Sequence, residues 1–258
     1  MSNILDEYVT APPSAQNALN IFKDEWTSHL PPEMSDLIAG TMPLFQDQRI
    51  TWAMTQLGGV QGCNILELGP LEAGHTYMLE KMGANSILAV EANSRAYIKC
   101  LIIKEVLNLR RAKFLLGDFV AYLQQTSETF DVCVASGVLY HMKQPAELIN
   151  LIAKVSTKVM LWTHYYNPDN IHLNPHQFKE STHEVYEGFK HALYKQDYPT
   201  KLLESKKSCA GMQHFSCWMS RQDILRCLEH FGFKNIQINF EQVDHPHGSC
   251  FCLVATRE

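Results

Sequence analysis

Residues 63–74 read CNILELGPLEAG, and this stretch decides the fold class. The apolar run Cys63–Leu68 ends at Gly69, and a short turn leads from it into a helical pattern. Gly69 and Gly74 permit a tight turn and let the backbone approach a ligand closely. Because open parallel sheets bind ligands beyond the carboxyl ends of their strands, the stretch predicts a buried first strand followed by a ligand-binding turn.

Short apolar runs alternate with amphipathic helical stretches from residue 63 onward. This alternation is typical of right-handed βαβ units, and the nearly continuous apolar runs indicate strands covered on both faces. We therefore predict an α/β fold with a Rossmann-like, mostly parallel sheet of seven strands and helices on both faces. The first five strands are predicted at 63–68, 86–91, 112–116, 130–135 and 158–163, with helices at 75–82, 94–108, 118–125 and 144–155.

The regions on either side of the alternating pattern predict two additions to this domain of residues 61–258. Residues 1–60 form a helical N-terminal layer, with one helix from Ser14 to about His29 and a second over 45–57. Residues 165–217 lack a clear strand and are rich in tyrosine and histidine, so we expect a lid or substrate-cover insertion there. A helix over 220–231 and strands over 234–240 and 250–256 complete the domain.

Composition excludes several classes of protein. The chain has 258 residues and a net charge of −5, which argues against a nucleic-acid-binding protein with a dominant basic face. The N-terminus lacks a signal-peptide pattern, no apolar run is long enough to span a membrane, and the eight cysteines include no Cys-x-x-Cys pair. We expect a soluble cytoplasmic protein with free thiols. The pairs His172/His176 and His245/His247 offer too few ligands, so no metal site is predicted.

The turn after the first strand departs from the dinucleotide pattern G-x-G-x-x-G. Leu71 occupies the position of the second glycine and would crowd a pyrophosphate, and Glu72 would repel it. Glu91 ends the second strand 22 residues after Gly69, where an acid can accept hydrogen bonds from a ribose diol. A cofactor with a ribose but no pyrophosphate fits these residues better than a dinucleotide.

Four motifs in order resemble those of class I S-adenosylmethionine-dependent methyltransferases: Glu67-Leu68-Gly69, Val90-Glu91-Ala92-Asn93, Gly117-Asp118-Phe119 and Phe130-Asp131-Val132. The first motif lacks the family's further glycines. The resemblance implies an antiparallel last strand and S-adenosylmethionine as cofactor. It implies that Glu67 and Gly69 border the amino-acid end, that Glu91 holds the ribose, and that Asp118 accepts from the adenine amino group. The implied cofactor-binding set is Glu67, Gly69, Gly74, Glu91, Ala92, Asp118, Phe119, Ser136, Gly137 and Tyr140.

Two of these residues also have a purely structural interpretation. Asp118 can cap the helix that follows the third strand, and Phe119 can belong to the core. Arg49, in a helix before the sheet, can reach a cofactor carboxylate or lie on the surface.

The run Gly137-Val138-Leu139-Tyr140-His141 resembles the group of enzymes that carboxymethylate the wobble uridine of tRNA. In that group the tyrosine helps to bind the extra carboxylate of carboxy-S-adenosylmethionine. The arginine that follows in the group is replaced here by Met142-Lys143, so a plain methyl donor is favoured.

Two histidines are candidates for a general base. The resemblance places His141 near the reactive sulfonium, and His164 ends the fifth strand on the ligand side of the sheet. Tyr165 and Tyr166 follow it and are predicted to line a substrate pocket.

The favoured function is methyl transfer from S-adenosylmethionine to a small-molecule acceptor. Three alternatives stay open: a tRNA-modifying methyl- or carboxymethyltransferase, a non-catalytic cofactor-binding regulatory module, and a nicotinamide-dependent oxidoreductase. The sequence names neither the acceptor nor the oligomeric state.

Overall fold

Ten strands and seven α-helices are present in the computed structural model, which describes residues 8–173, 178, 180–198 and 211–257. The strands are β1 Asn64–Leu68, β2 Ser86–Glu91, β3 Ala112–Leu116, β4 Val132–Ser136, β5 Lys158–His164, β6 Ser181–Tyr186, β7 Phe189–Asp197, β8 Phe215–Trp218, β9 Lys234–Gln242 and β10 Cys250–Thr256. The helices are α1 Ala15–Leu19, α2 Gln48–Gln56, α3 Gly74–Lys81, α4 Ser94–Val106, α5 Phe119–Gln125, α6 Pro145–Val155 and α7 Arg221–His230.

Seven strands form the main sheet in the order β3-β2-β1-β4-β5-β10-β9. Pairing is parallel from β3 to β5, whereas β10 is antiparallel to both β5 and β9. The predicted Rossmann-like sheet and its antiparallel last strand are confirmed. The strand order reverses between β1 and β4, and such a switch point opens a crevice at the carboxyl ends of the strands.

Helices cover both faces of this sheet. Leu66 and Leu68 of β1 pack in one core with residues of α6, whereas Ile65 packs in a second core with residues of α2 and α3. Alternate residues of the same strand therefore enter different cores. This explains why the strand sequences are apolar almost without interruption.

A second sheet, β6-β7-β8, overturns the prediction that residues 165–217 lack a clear strand. β6 and β7 form a hairpin in which Tyr186 pairs with Phe189, and the two turn residues Glu187 and Gly188 both have positive φ. This geometry is typical of a tight hairpin turn, but its usual sequence signal is Asn-Gly or Asp-Gly. Residues 174–177, 179 and 199–210 of the predicted insertion lie outside the described residues.

The first predicted helix is wrong beyond residue 22. α1 continues as one 3-10 turn, Asn20–Phe22, and the backbone leaves helical geometry at Lys23. Trp26 is nevertheless buried, and its indole Nε1 donates to the carbonyl oxygen of Leu19 over 2.8 Å. The apolar residues at helical spacing thus reach the core through a compact loop. The second predicted helix, 45–57, is a 3-10 turn, Leu44–Gln46, followed by α2.

Glu72 attaches the N-terminal layer to the turn after β1. Its carboxylate accepts from the backbone N–H groups of Thr27 and Ser28 and from Lys99 Nζ, which lies 2.8 Å from Oε1. Glu72 is 1% exposed and Lys99 is 5% exposed. The charge of Glu72 is paired with Lys99, which weakens the predicted repulsion of an anionic ligand.

Lys99→Met should destabilise the protein strongly, since it leaves the buried Glu72 carboxylate without its cation. Loss of one partner of a buried pair costs about 3–5 kcal/mol. Urea unfolding measures this free energy. Lys195→Met is the matched control, because Lys195 pairs with the exposed Glu180 over 3.2 Å and should change stability by about 1 kcal/mol or less. A loss no larger for Lys99→Met than for the control would contradict the assigned role of the buried pair.

None of the helices in the described part of the chain combines the length and apolar character needed to cross a membrane.

Candidate active site

A cavity of about 1510 Å³ lies at the carboxyl ends of β1, β2, β4 and β5. Its walls come from the N-terminal layer, the loops after these strands, the second sheet and the turn between β9 and β10. Most of the site residues predicted from the sequence line it together: Gly69, Gly74, Glu91, Ala92, Asp118, Phe119, Ser136, Gly137, Tyr140, His141 and His164.

The turn after β1 owes its shape to backbone conformations that few residues adopt. Gly69, Leu71 and Ala73 all have positive φ, between 55° and 66°. A Cβ on Gly69 would lie 2.7 Å from Cγ1 of Val138, so only glycine fits this position without a shift of its neighbour. The turn thus brings the backbone close to the loop after β4 although the further glycines of the family pattern are absent.

Glu91 stabilises this turn from the end of β2. Its Oε2 accepts from the backbone N–H of Leu71 over 3.2 Å, and its Oε1 accepts from that of Asn93 over 2.8 Å. Burial raises the pKa of this carboxyl, which is 8% exposed. Each oxygen has a second lone pair for a ligand donor.

Glu67 has a different position from the one predicted. It is 2% exposed, is not among the residues that line the cavity, and accepts a hydrogen bond from Thr76 Oγ1. Burial raises the pKa of its carboxyl. Glu67 therefore fastens α3 to β1, and its contact with the amino-acid end of a cofactor stays a prediction.

Asp118 and Phe119 each have a structural role and also line the cavity. Asp118 caps α5 by accepting from the backbone N–H of Val120 over 2.8 Å, and it lines the cavity as well. Phe119 belongs to the core and also reaches the cavity wall.

Aromatic rings form the wall opposite the turn. The centroid of the Tyr140 ring lies 4.8 Å from that of His164, 6.0 Å from that of Trp162 and 6.1 Å from that of Trp218. His164 stacks on Trp218 at 5.4 Å and 12°. Trp218 ends β8, so the second sheet contributes directly to the site.

Both candidate bases are neutral at neutral pH. His141 Nδ1 lies 2.6 Å from the hydroxyl oxygen of Tyr198, and His164 Nδ1 donates to the carbonyl oxygen of Gly248 over 2.7 Å. Burial lowers the pKa of each imidazole to about 4, and for His141 the neighbouring His164 acts in the same direction. A neutral imidazole can accept a proton at one nitrogen while the other donates.

A cluster of charged and polar side chains lies at the N-terminal side of the cavity, and the sequence did not predict that its members contact one another. Arg49 donates three side-chain hydrogen bonds to the carboxylate of Asp47, which also lies 2.9 Å from His75 Nε2, and all three residues line the cavity. Burial acts to raise the pKa of Asp47, but hydrogen bonds from His75 and Arg49 hold it well below its usual range. The Arg49 guanidinium lies 4.5 Å from the centroid of the Trp162 ring, so Arg49 is a cavity residue.

Comparisons with known proteins agree with this arrangement of fold and site. The family model described as a methyltransferase domain matches residues 60–207, which is more than half of the chain. The chain belongs to this methyltransferase family. A comparison with curated protein sequences finds no match.

Three solved structures share the fold, and two of them are named as methyltransferases. The N-terminal domain of EvdMO1, crystallised with S-adenosylhomocysteine (SAH) and D-fucose, is 22% identical at a TM-score of 0.66, over 94% of this chain and 93% of that one. The N-methyltransferase NodS from Bradyrhizobium japonicum WM9, in complex with SAH, is 13% identical at a TM-score of 0.55. The match covers 93% of this chain and 98% of NodS. Magnesium protoporphyrin IX methyltransferase from Synechocystis PCC 6803, with bound SAH, is 15% identical at a TM-score of 0.54. The match covers 82% of this chain and 81% of that enzyme.

The two tyrosines predicted to line the substrate pocket of this methyltransferase lie elsewhere. Tyr165 stacks on Phe251 and donates to Glu241 Oε1 over 2.9 Å, and Tyr166 stacks on Tyr194 at 3.4 Å. Neither is among the residues that line the cavity. Tyr165 packs at the edge of the main sheet and Tyr166 packs on the second sheet, and their role as substrate residues stays a prediction. The side chains of His172 and His176 lie outside the described residues.

Proposed function

We propose that this methyltransferase transfers the methyl group of S-adenosylmethionine to a hydroxyl group of a small, carbohydrate-like acceptor. The fold family and the cavity at the strand ends support the methyltransferase part of the proposal. The SAH bound to the N-terminal domain of EvdMO1 and to NodS supports the donor. The acceptor class rests on the polar atoms described below.

The donor fits the half of the cavity between the turn after β1 and α5. Glu91 accepts from the ribose hydroxyls, and Asp118 accepts from the adenine amino group. Gly69 allows the backbone to approach the methionine end, and Arg49 pairs with its carboxylate. A ribose without a pyrophosphate suits the narrow turn that Leu71 creates.

We infer the chemical class of the acceptor from a set of buried polar atoms in the other half of the cavity. His141 Nε2, Gln196 Oε1 and Trp218 Nε1 are buried and have no hydrogen-bond partner among the described residues, and their residues line the cavity. A buried polar atom without a partner costs about 1–3 kcal/mol, so a ligand that supplies the partners gains affinity.

Hydroxyl groups can satisfy this set, because each donates one hydrogen bond and accepts others. Trp218 Nε1 only donates, whereas Gln196 Oε1 only accepts. The rings of Tyr140, Trp162 and Trp218 offer apolar faces beside these atoms. A sugar combines apolar C–H faces with several hydroxyl groups, and the N-terminal domain of EvdMO1 was crystallised with D-fucose.

The proposed mechanism is an in-line displacement. S-adenosylmethionine supplies an electrophilic methyl group on a sulfonium. In the proposed tautomer the His141 Nδ1–H donates a hydrogen bond to the Tyr198 hydroxyl oxygen, which leaves the lone pair on Nε2 to take the proton of the acceptor hydroxyl. Its lowered pKa keeps the imidazole in the neutral form that this step requires. The aromatic wall and the second sheet exclude water and orient the acceptor.

An acceptor screen tests the proposal. The protein is incubated with methyl-labelled S-adenosylmethionine and three panels: deoxysugars and hexoses including D-fucose, phenols, and amines. We expect labelled methyl ethers from the sugar panel. Label in phenols or amines with none in sugars would overturn the acceptor class.

Gln196→Ala should raise the KM for the best sugar about tenfold, since one hydrogen bond of about 1.4 kcal/mol is lost, and should leave SAH affinity unchanged. Gln124→Ala, an exposed glutamine outside the cavity, is the matched control. An unchanged KM in Gln196→Ala would contradict the assigned contact.

A further inference from the structure

Three side chains of the types that bind transition metals meet at one side of the cavity. His164, His245 and Cys250 all line it, and one ligand atom of each lies within 4.8 Å of the other two. His164 and Cys250 are directly paired across β5 and β10. His245 lies in the turn between β9 and β10, so the site is built from the antiparallel edge of the sheet.

The hydrogen bonds around the cluster leave an electron pair on each ligand. His164 Nδ1 donates to the carbonyl oxygen of Gly248, so its lone pair is on Nε2. A second-sphere contact of this kind fixes the tautomer and ring orientation of metal-binding histidines. His245 Nδ1 accepts from the backbone N–H of His247 over 3.2 Å, so its lone pair is on Nδ1, and a metal bound there replaces this hydrogen bond. The Cys250 sulfur interacts with the indole N–H of Trp162.

Two imidazoles and one thiol suit zinc and its chemical neighbours. Zn–N bonds of about 2.0 Å and Zn–S bonds of about 2.3 Å place tetrahedral ligand atoms about 3.5 Å apart, so the ligands need to close by about 1 Å. Three protein ligands leave one coordination position for water or a substrate, as in catalytic zinc sites.

The local charge is compatible with a cation. The Arg49 guanidinium acts electrostatically on His245 and Cys250, and it is itself paired with both carboxylate oxygens of Asp47. Loss of the Cys250 proton on metal binding supplies a further negative charge at the site.

We propose that His164, His245 and Cys250 form a binding site for a zinc-class divalent metal ion, with its open position toward the cavity. There the oxygen of an acceptor hydroxyl completes the coordination and is held beside the methyl donor. This use of the site rests on the proposed function, whereas metal binding itself does not.

Cobalt(II) titration of the metal-free protein tests the site without any measurement of activity. We expect one equivalent to bind, with the intense near-ultraviolet charge-transfer absorption of a cobalt–thiolate bond, and we expect zinc to displace it. Cys250→Ser should abolish that absorption. Cys63→Ser, which removes a partly exposed thiol elsewhere, should retain it.

His245→Ala should weaken cobalt binding at least tenfold. His245 lies in a turn and is partly exposed, so this variant should fold even if the buried Cys250→Ser does not. Absence of the charge-transfer absorption in the wild type, its persistence in folded Cys250→Ser, or unchanged affinity in His245→Ala would each overturn the site. SAH calorimetry on the same samples separates the two claims: SAH binding without the cobalt signal overturns the metal site alone, and the cobalt signal without SAH binding overturns the proposed function alone.

Discussion

His141→Gln should lower kcat for methyl transfer about 10²–10³-fold, the usual contribution of a general base. Glutamine preserves much of the volume and polarity of the side chain but cannot take a proton from the acceptor hydroxyl. The affinity for SAH should stay within about twofold, because His141 lies on the acceptor side of the proposed donor site. Transfer of labelled methyl to the best acceptor of the screen gives kcat, and calorimetry gives the SAH affinity.

Two further variants define the role of His141. Tyr198→Phe removes the hydroxyl that lies 2.6 Å from His141 Nδ1 and should lower kcat about tenfold, since only the orientation of the ring is lost. His183→Gln alters an exposed histidine of β6 and should change nothing. A kcat that survives in His141→Gln would exclude His141 as the base. A kcat lost in His164→Gln but kept in His141→Gln would place the catalytic group at His164, as the base or as the proposed metal ligand.

Glu91→Ala should weaken SAH binding about 100-fold or more. The carboxylate is proposed to accept both ribose hydroxyls, and each hydrogen bond to a charged group is worth about 1.5–3 kcal/mol. A loss of 2.7 kcal/mol corresponds to about 100-fold in Kd. Part of the loss arises indirectly, because Glu91 also holds the backbone of Leu71 in the turn. Calorimetric titration with SAH measures the effect.

Glu105→Ala is the matched control for this prediction, because Glu105 is an exposed carboxylate on α4. Glu91→Gln removes the charge but keeps an oxygen that can accept a hydrogen bond from one ribose hydroxyl. We therefore expect a Kd for SAH between those of the wild type and Glu91→Ala. Urea unfolding of each variant checks that the fold is retained. SAH affinity in folded Glu91→Ala equal to that of the control would remove Glu91 from the ribose site.

The main sheet was predictable because its signals are local. β2, β3 and β10 begin and end at the predicted residues, Ser86–Glu91, Ala112–Leu116 and Cys250–Thr256. β2 and β10 are apolar runs that are largely buried on both faces, whereas β3 lies at the edge of the sheet and exposes Lys113. The position of Glu91 at the cavity follows from the same logic, since it is the last residue of its strand.

The remaining features depend on contacts that are distant in sequence. The Glu187-Gly188 turn carries no standard hairpin signal, so the second sheet was missed, and with it Gln196, Tyr198 and Trp218 as cavity residues. The hydrogen bond between Asp47 and His75 connects the start of α2 to α3, and the two residues are 28 positions apart in the sequence. Tyr165 and Tyr166 follow a strand that ends at the cavity, but pairing with Glu241 and Tyr194 turns them away from it.

Calorimetric titration of the wild-type protein with SAH, carboxy-S-adenosylmethionine and NADH in parallel tests most directly which cofactor the cavity binds. We expect one SAH site with micromolar affinity, weaker binding of the carboxylated donor and no binding of NADH. Binding of NADH, or no binding of SAH, would contradict the assignment of the cavity to S-adenosylmethionine.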